Sequence, residues 1–430
     1  MAIYVLQTIL YITISLIISL QNISFYVNPA YNKKTESRTV IQQRKWRKHM
    51  KAVIAIDSLK GSLTSLEAGD AIREGILRVH PDAQVQVRPL ADGGEGTVEA
   101  LTLGMGGMLQ HVDVTGPMGE KETAAYGILN DGITAVMEMS AAAAITMVPD
   151  KEKNPLLATT YGVGEMILDA IRKGCRNFIV GIGGSATNDG GIGMLQSLGY
   201  GLWDAEGQPV PFGAQGLKKL VKITKDKVVS ELSECTFRIA CDVTNPLCGD
   251  KGCSAIYGPQ KGATPSMILQ MDKWLADYAS LAGTVFEDAD PDYPGSGAAG
   301  GIGFAFRTFT NASLTSGIDI VLEETKLESY IKDADIVITG EGRLDGQTVM
   351  GKAPIGVAKI AKKYGKQVLA FAGCVTEDAV ACNEHGIDAF FPILRGVVTL
   401  EEAMDSTNAR RNMAATVEQV FRLIPDLSPV

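Results

Sequence analysis

The chain has 430 residues, 46% hydrophobic and 21% charged, with 47 Gly, 17 Pro and a formal net charge of −9. That length allows two or three domains with a sizeable core, and the composition excludes collagen, coiled coil, low-complexity disorder and a disulfide-stapled miniprotein. The average hides two unlike segments. Residues 1–49 hold no Gly, seven Lys or Arg and one Glu, which leaves 33 basic against 48 acidic residues in the remainder, a net −15. So acidic a body is a poor match for nucleic acid, whose binding relies on Lys and Arg, and suits a soluble enzyme of small molecules.

In chain order, Ala2–Leu20 carries no charge over 19 residues and is followed by the basic run Arg44–Lys48. It reads either as a membrane anchor with the body on the cytosolic side, or as a stretch ahead of a working start at Met50. No basic leader or small-x-small cleavage site marks a cleaved signal peptide, and a cytoplasmic body is expected. From Met50, apolar runs alternate with helical patterns: strand 51–56, helix 65–79, strand 84–89 and helix 94–103. Residues 110–139 break into short strands with Gly-Pro and Asn-Asp-Gly turns, as in a mixed or antiparallel sheet. A helix over 156–173, a buried strand 177–181, a helix 190–198 and a long amphipathic helix 267–282 follow. The end returns to strand 335–339, helix 353–364, strand 367–372 and strand 389–392. The pattern predicts an α/β protein of two α/β domains, the middle inserted into a domain built from both ends. The expected division is an extension over 1–49, a Rossmann-like domain over 50–115 plus 305–430, and a mixed-sheet α/β domain over 116–304, with the active site in the cleft.

Five loops after apolar runs concentrate glycine, hydroxyl and carboxylate groups, the place where open α/β sheets bind ligands. Asp57, Ser58 and Lys60 begin the first, which suits an anion held by backbone N–H groups and an ammonium; Thr64 with Glu67 equally reads as a helix cap. Asp92 and Glu95 flank Gly93 and Gly94 in the second. Gly183, Gly184, Ser185, Thr187, Asn188 and Asp189 fill the third, which follows a buried strand and opens a helix. It lacks the G-x-G-x-x-G spacing of dinucleotide sites. Asp242 and Asn245 in the fourth could hold a cation or form an Asx turn. The fifth carries Glu341, Arg343, Asp345 and Lys352; Gly346 to Lys352 has P-loop spacing, but Ala353 stands where a Mg²⁺-binding hydroxyl is needed. The body has only His80, His111 and His385, all outside these loops, so acid–base work falls to carboxylates. Phosphoryl transfer suits that set, since Lys, Arg, backbone N–H and carboxylate-held Mg²⁺ stabilise the charge. Seven cysteines with no C-x-x-C pair read as free thiols.

Nine motifs in order, among them DSLKGSLTSLEA from Asp57, PLADGGEGT from Pro89, GIGGSATNDGGIGMLQSLG from Gly181, DVTNPLCG from Asp242, YGPQKGA from Tyr257, GSGAAGGIG from Gly295 and ITGEGRLDGQT from Ile338, resemble the bacterial glycerate kinases of the type-1 family. The resemblance runs from about Met50 to about Pro425. It implies ATP-dependent phosphorylation of D-glycerate with Mg²⁺ in a cleft between two α/β domains, usually at the 2-hydroxyl, with 3-phosphorylation or another hydroxy acid as alternatives. A non-catalytic glycerate or nucleotide sensor is the reading from a different class. Within that frame Asp189 is the expected catalytic base, with Lys60 and Arg343 neutralising carboxylate or phosphoryl charge. Asp242, Glu341 and Asp345 are expected to serve Mg²⁺. Asp57, Ser58, Asp92, Glu95, Gly183, Gly184, Ser185, Thr187, Asn188 and Lys352 are expected to line substrate or phosphate.

Overall fold

A computed structural model describes residues 49–424 except 92, 95 and 311. Residues 1–48, and with them the expected anchor, lie outside the described residues. Among those described, no helix is long and apolar enough to cross a membrane.

The described body is an α/β protein with one parallel and one mixed sheet. The five-stranded sheet runs, in spatial order, Ala389–Pro392, Gln367–Val375, Ile336–Leu344, Lys51–Ile54 and Gln84–Val87, every pair parallel. Its inner strands are buried on both faces, which is why they read as unbroken apolar runs rather than alternating ones. One face carries the helices Ser65–Val79 and Ser406–Phe421, packed through Ile72, Ile76, Val417 and Phe421. The other is covered by Gly317–Glu324, Leu327–Asp333 and Ala353–Lys363.

The six-stranded sheet orders Ser313–Thr315, Thr236–Ala240, Asn177–Gly181, Thr134–Glu138, Lys121–Ile128 and Met108–Thr115. Its last three strands form an antiparallel meander and the others are parallel. Met108–Thr115 and Ser313–Thr315 thus pair within this sheet, although the expected borders at 115 and 305 would assign them to the other domain. Val136, Ile179 and Ala240 share one core with Leu101, Ile318 and Leu322, so one face of the second sheet packs on helices that also serve the first.

Two elements depart instructively from the sequence reading. The strand expected to stop at 339 continues to Leu344, pairing Gly340 with Phe371 and Arg343 with Cys374. Gly340 permits it, since a Cβ there would lie 1.8 Å from the Phe371 carbonyl oxygen. The helix expected from 156 begins at Tyr161, because Thr160 is tied to Asp189 instead of winding into the helix.

Candidate functional site

Strand ends of the two sheets open onto two clefts. The first, about 440 Å³, lies at the carboxyl ends of the five-stranded sheet and is lined by Asp57, Ser58, Lys60, Glu341, Arg343, Asp345 and Lys352, with Leu394, Leu400 and Met404 as an apolar wall. Asp57 follows the strand Lys51–Ile54 by three residues, its N–H still donating to Gly340 O, and its Oδ1 accepts the Ser58 N–H at 2.6 Å. The following turn closes through Leu59 and Leu63, and Thr64 with Glu67 forms a reciprocal capping box on the helix Ser65–Val79. The cap reading and the site reading of this loop therefore hold at different residues. Glu341 is buried, with Oε1 accepting from Thr348 Oγ1 at 2.7 Å and Oε2 3.5 Å from Lys352 Nζ, which is also 3.7 Å from Asp345. Burial raises the Glu341 carboxyl above its usual range against the pull of Thr348 and Lys352.

The second cleft, about 390 Å³, lies at the ends of the six-stranded sheet and is lined by Gly93, Gly94, Gly183, Gly184, Ser185, Asp242, Tyr257, Lys261 and Ala299. Asp242 caps the helix Gly317–Glu324 by accepting from Gly317 N at 3.1 Å. Ala299 adopts a left-handed φ of +51°, a strained setting for a residue with a Cβ. Beside the first cleft, Asp57 and Ser58 also line a 60 Å³ cavity together with Leu90, Ala91 and Gly96. The loop 90–96 thus leaves the first sheet and reaches the second: a Cβ on Gly93 would stand 3.0 Å from Ala240 Cβ, and one on Gly181 2.7 Å from Gly93 O. Asp92 and Glu95, the carboxylates expected there, lie outside the described residues.

The structure sets several of the expected site residues away from the clefts. Asp189 is fully buried and lines neither cleft; its carboxylate accepts from Thr160 N (2.9 Å), Thr160 Oγ1 (2.9 Å), Gly191 N (3.0 Å) and Gly193 N (3.3 Å). It pins a helix start, and burial raises its carboxyl above the ordinary aspartate value. Thr187 and Asn188 are likewise fully buried, the latter donating to Ser254 Oγ at 2.9 Å, and they line neither cleft. The loop dives inward after Ser185 because Gly300 closes over it, its carbonyl oxygen accepting from Gly190 N–H at 2.9 Å. Asp242 is separated from Glu341 and Asp345, which belong to the first cleft. Among the described residues, no cluster of three or more His, Cys, Asp or Glu side chains forms a metal cage. The remaining pair still fits Mg²⁺, which keeps several waters and takes one or two carboxylates beside substrate phosphates. The seven cysteines are free thiols.

Lys261 escaped the sequence reading. It stands in Tyr257–Ala263 between Gly258 and Gly262, a dense motif, but nothing in the spacing marks a buried lysine.

The comparisons agree with this architecture. The family model described as "Glycerate kinase family" matches residues 52–425. The chain is 48% identical over 373 residues to the glycerate 2-kinase of Escherichia coli, covering 86% of this chain and 98% of that one. It is 46% identical to the glycerate kinase of Bacillus subtilis, covering 86% and 98%. A crystal structure of a protein assigned as glycerate kinase 2 from Salmonella typhimurium LT2 superposes with a TM-score of 0.82 at 46% identity, covering 87% of this chain and 98% of that one. The chain belongs to the glycerate kinase family.

Proposed function

We propose that this protein transfers the terminal phosphoryl group of ATP to D-glycerate, with Mg²⁺, and that the product is 2-phosphoglycerate. The carrying observation is the first cleft, where Asp57, Lys60, Glu341, Arg343, Asp345 and Lys352 gather at the strand ends of the parallel sheet. The second cleft presents Lys261 and open glycine backbone. Support for position 2 comes from the E. coli relative, which bears that name. The domain division proposed with it is a Rossmann-like lobe from both ends of the body and an inserted lobe, with borders near residues 105 and 316.

In this reading, Mg²⁺ supplies charge neutralisation of the phosphates, and Glu341 and Asp345 are the residues that would hold it. Lys60, Arg343 and Lys352 offset the negative charge of phosphate or carboxylate on the first cleft's wall. Asp57, on the wall of the first cleft, takes the proton of the attacking hydroxyl in place of Asp189, which is fully buried and lines neither cleft. Gly183, Gly184 and Ser185 present backbone to an anion on the opposite wall.

The test is release of ADP by the full-length chain with ATP and Mg²⁺, with and without D-glycerate and a panel of other hydroxy acids. Glycerate-dependent ADP is expected, and phosphorus NMR of the product should show 2-phosphoglycerate. A rate unaffected by glycerate would favour a non-catalytic sensor; a stronger response to another hydroxy acid would reassign the substrate.

A further inference from the structure

Lys261 is 2% exposed and ends the single-turn helix Pro259–Lys261, yet it lines the second cleft. Nζ donates to Ser185 Oγ at 2.7 Å and to the Thr187 carbonyl at 2.6 Å. Both acceptors are neutral, and among the described residues Lys261 forms no ion pair with a carboxylate. A cation held this deep without a bonded counter-charge costs several kcal/mol, so folding alone gives no reason to keep it. Burial lowers its pKa to about 8, against the more distant pull of Cys253 and Asp189.

An ammonium has three N–H donors, and two are used. The same wall carries the N–H groups of Gly183, Gly184 and Ser185, none of which donates to a backbone carbonyl among the described residues. The space above them is open: a Cβ on Gly183 would meet nothing within 4 Å, and one on Gly184 would first meet Ser140 Cβ at 3.7 Å. A buried cation, three backbone amides without a backbone acceptor and open room line one cleft, a set that suits an oxyanion.

We propose that Lys261 binds a substrate oxyanion in the second cleft, either a nucleotide phosphate or the carboxylate of the hydroxy acid. The identity of these anions rests on the kinase reading; the anion site itself does not. The lysine and the three amides form one wall, and Ser185 fixes the ammonium's direction. Such a site also distributes the substrates' charge, since Lys60, Arg343 and Lys352 already serve the first cleft.

The test compares wild type with Lys261→Met and Lys261→Arg, measuring KM for ATP, KM for glycerate, kcat and melting temperature. Loss of a charge-assisted contact predicts at least a roughly tenfold effect for Lys261→Met with partial rescue by Lys261→Arg. A rise confined to the ATP KM identifies a nucleotide phosphate, one confined to the glycerate KM identifies the carboxylate, and a fall in kcat alone identifies the group in transfer. Folded Lys261→Met with all three constants within twofold of wild type overturns the proposal. Should Lys261→Met not fold, ¹⁵N-lysine spectra of wild type decide. The Lys261 Nζ signal, assigned by its loss in Lys261→Arg, must shift when inorganic pyrophosphate or glycerate is added, and no shift with either overturns the proposal. Wild type that shifts with pyrophosphate yet releases no glycerate-dependent ADP would sink the kinase reading and leave the anion site standing.

Discussion

Asp189 separates a catalytic from a structural reading most sharply. Its Oδ2 accepts from Thr160 N, Thr160 Oγ1 and Gly193 N, and its Oδ1 from Gly191 N, at 2.9–3.3 Å. Thr160 Oγ1 in turn accepts from Met194 N at 2.9 Å, so the carboxylate joins two helix starts, at Tyr161 and Ile192. Asp189→Ala strands four donors at a fully buried position. At about 1–3 kcal/mol per unsatisfied buried group, reduced by partial relaxation, the loss should be about 3–6 kcal/mol. Asp189→Asn can keep the three Oδ2 contacts with its amide oxygen, but sets an NH₂ against the Gly191 N–H and should lose about 1–3 kcal/mol. Denaturant unfolding of both variants checks these values, with kcat measured on the folded Asp189→Asn protein and expected within a few-fold of wild type. Asp189→Asn as stable as wild type but slowed a hundredfold would refute the reasoning and return Asp189 to the role of base.

Asp57→Asn should leave stability nearly unchanged and lower kcat by roughly 10²–10⁴-fold, the usual worth of a general base, with little change in KM for ATP. Gly300→Ala places a Cβ 2.1 Å from the Thr187 carbonyl oxygen at a φ of +75°, and should cost about 2–4 kcal/mol by chemical denaturation. Glu341→Gln removes a Mg²⁺ ligand candidate while Thr348 can still donate to its carbonyl; the Mg²⁺ concentration for half-maximal rate should rise roughly tenfold. Because burial lowers Lys261 to about 8 against 10.5 unfolded, the unfolded chain binds more protons between these values. Stability should therefore rise with pH across that window, by up to about 1.4 kcal/mol per pH unit, while activity falls above pH 8 as the ammonium is lost. Lys261→Met should flatten the stability profile.

Much of the fold was legible because buried parallel strands leave continuous apolar runs: 51–54, 177–181 and 367–372 were readable from them. Strand Ile336–Leu344 was truncated in the reading because its second half is Gly-Glu-Gly-Arg, polar residues that pair with Gln367–Val375 while facing the first cleft. The site was legible by composition and not by depth. Asp57, Glu341 and Lys352 stand on the cleft wall as their loops suggested. Thr187, Asn188 and Asp189, in an equally dense loop, are turned inward by packing against Gly300, more than a hundred residues away in sequence. Hydroxyl and carboxylate residues beside glycines suit a helix start as well as a ligand, and only the long-range contact decides between them. Lys261 illustrates the converse, a functional candidate whose signature is burial without a counter-charge, which no local pattern can encode.

The absence of histidine from these loops acquires a geometric counterpart. Phosphoryl transfer needs little covalent chemistry from the protein; it needs two anionic substrates held close and their charge spread over fixed donors. A single cleft crowded with every cation would hold both anions against each other's repulsion. Here the cations fall into two groups, Lys60, Arg343 and Lys352 on one wall and Lys261 with the glycine amides on the other. Gly93, on the wall of the second cleft, approaches the second sheet closely only because it and Gly181 have no side chains. A Cβ at either position would meet its neighbour at 2.7 Å, so Gly93→Ala or Gly181→Ala should shift the loop 90–96 against the second sheet. Since a misplacement near 1 Å can cost about a hundredfold in rate, either substitution should lower kcat while leaving the charged side chains of both clefts in place, and a variant with wild-type kcat would refute this.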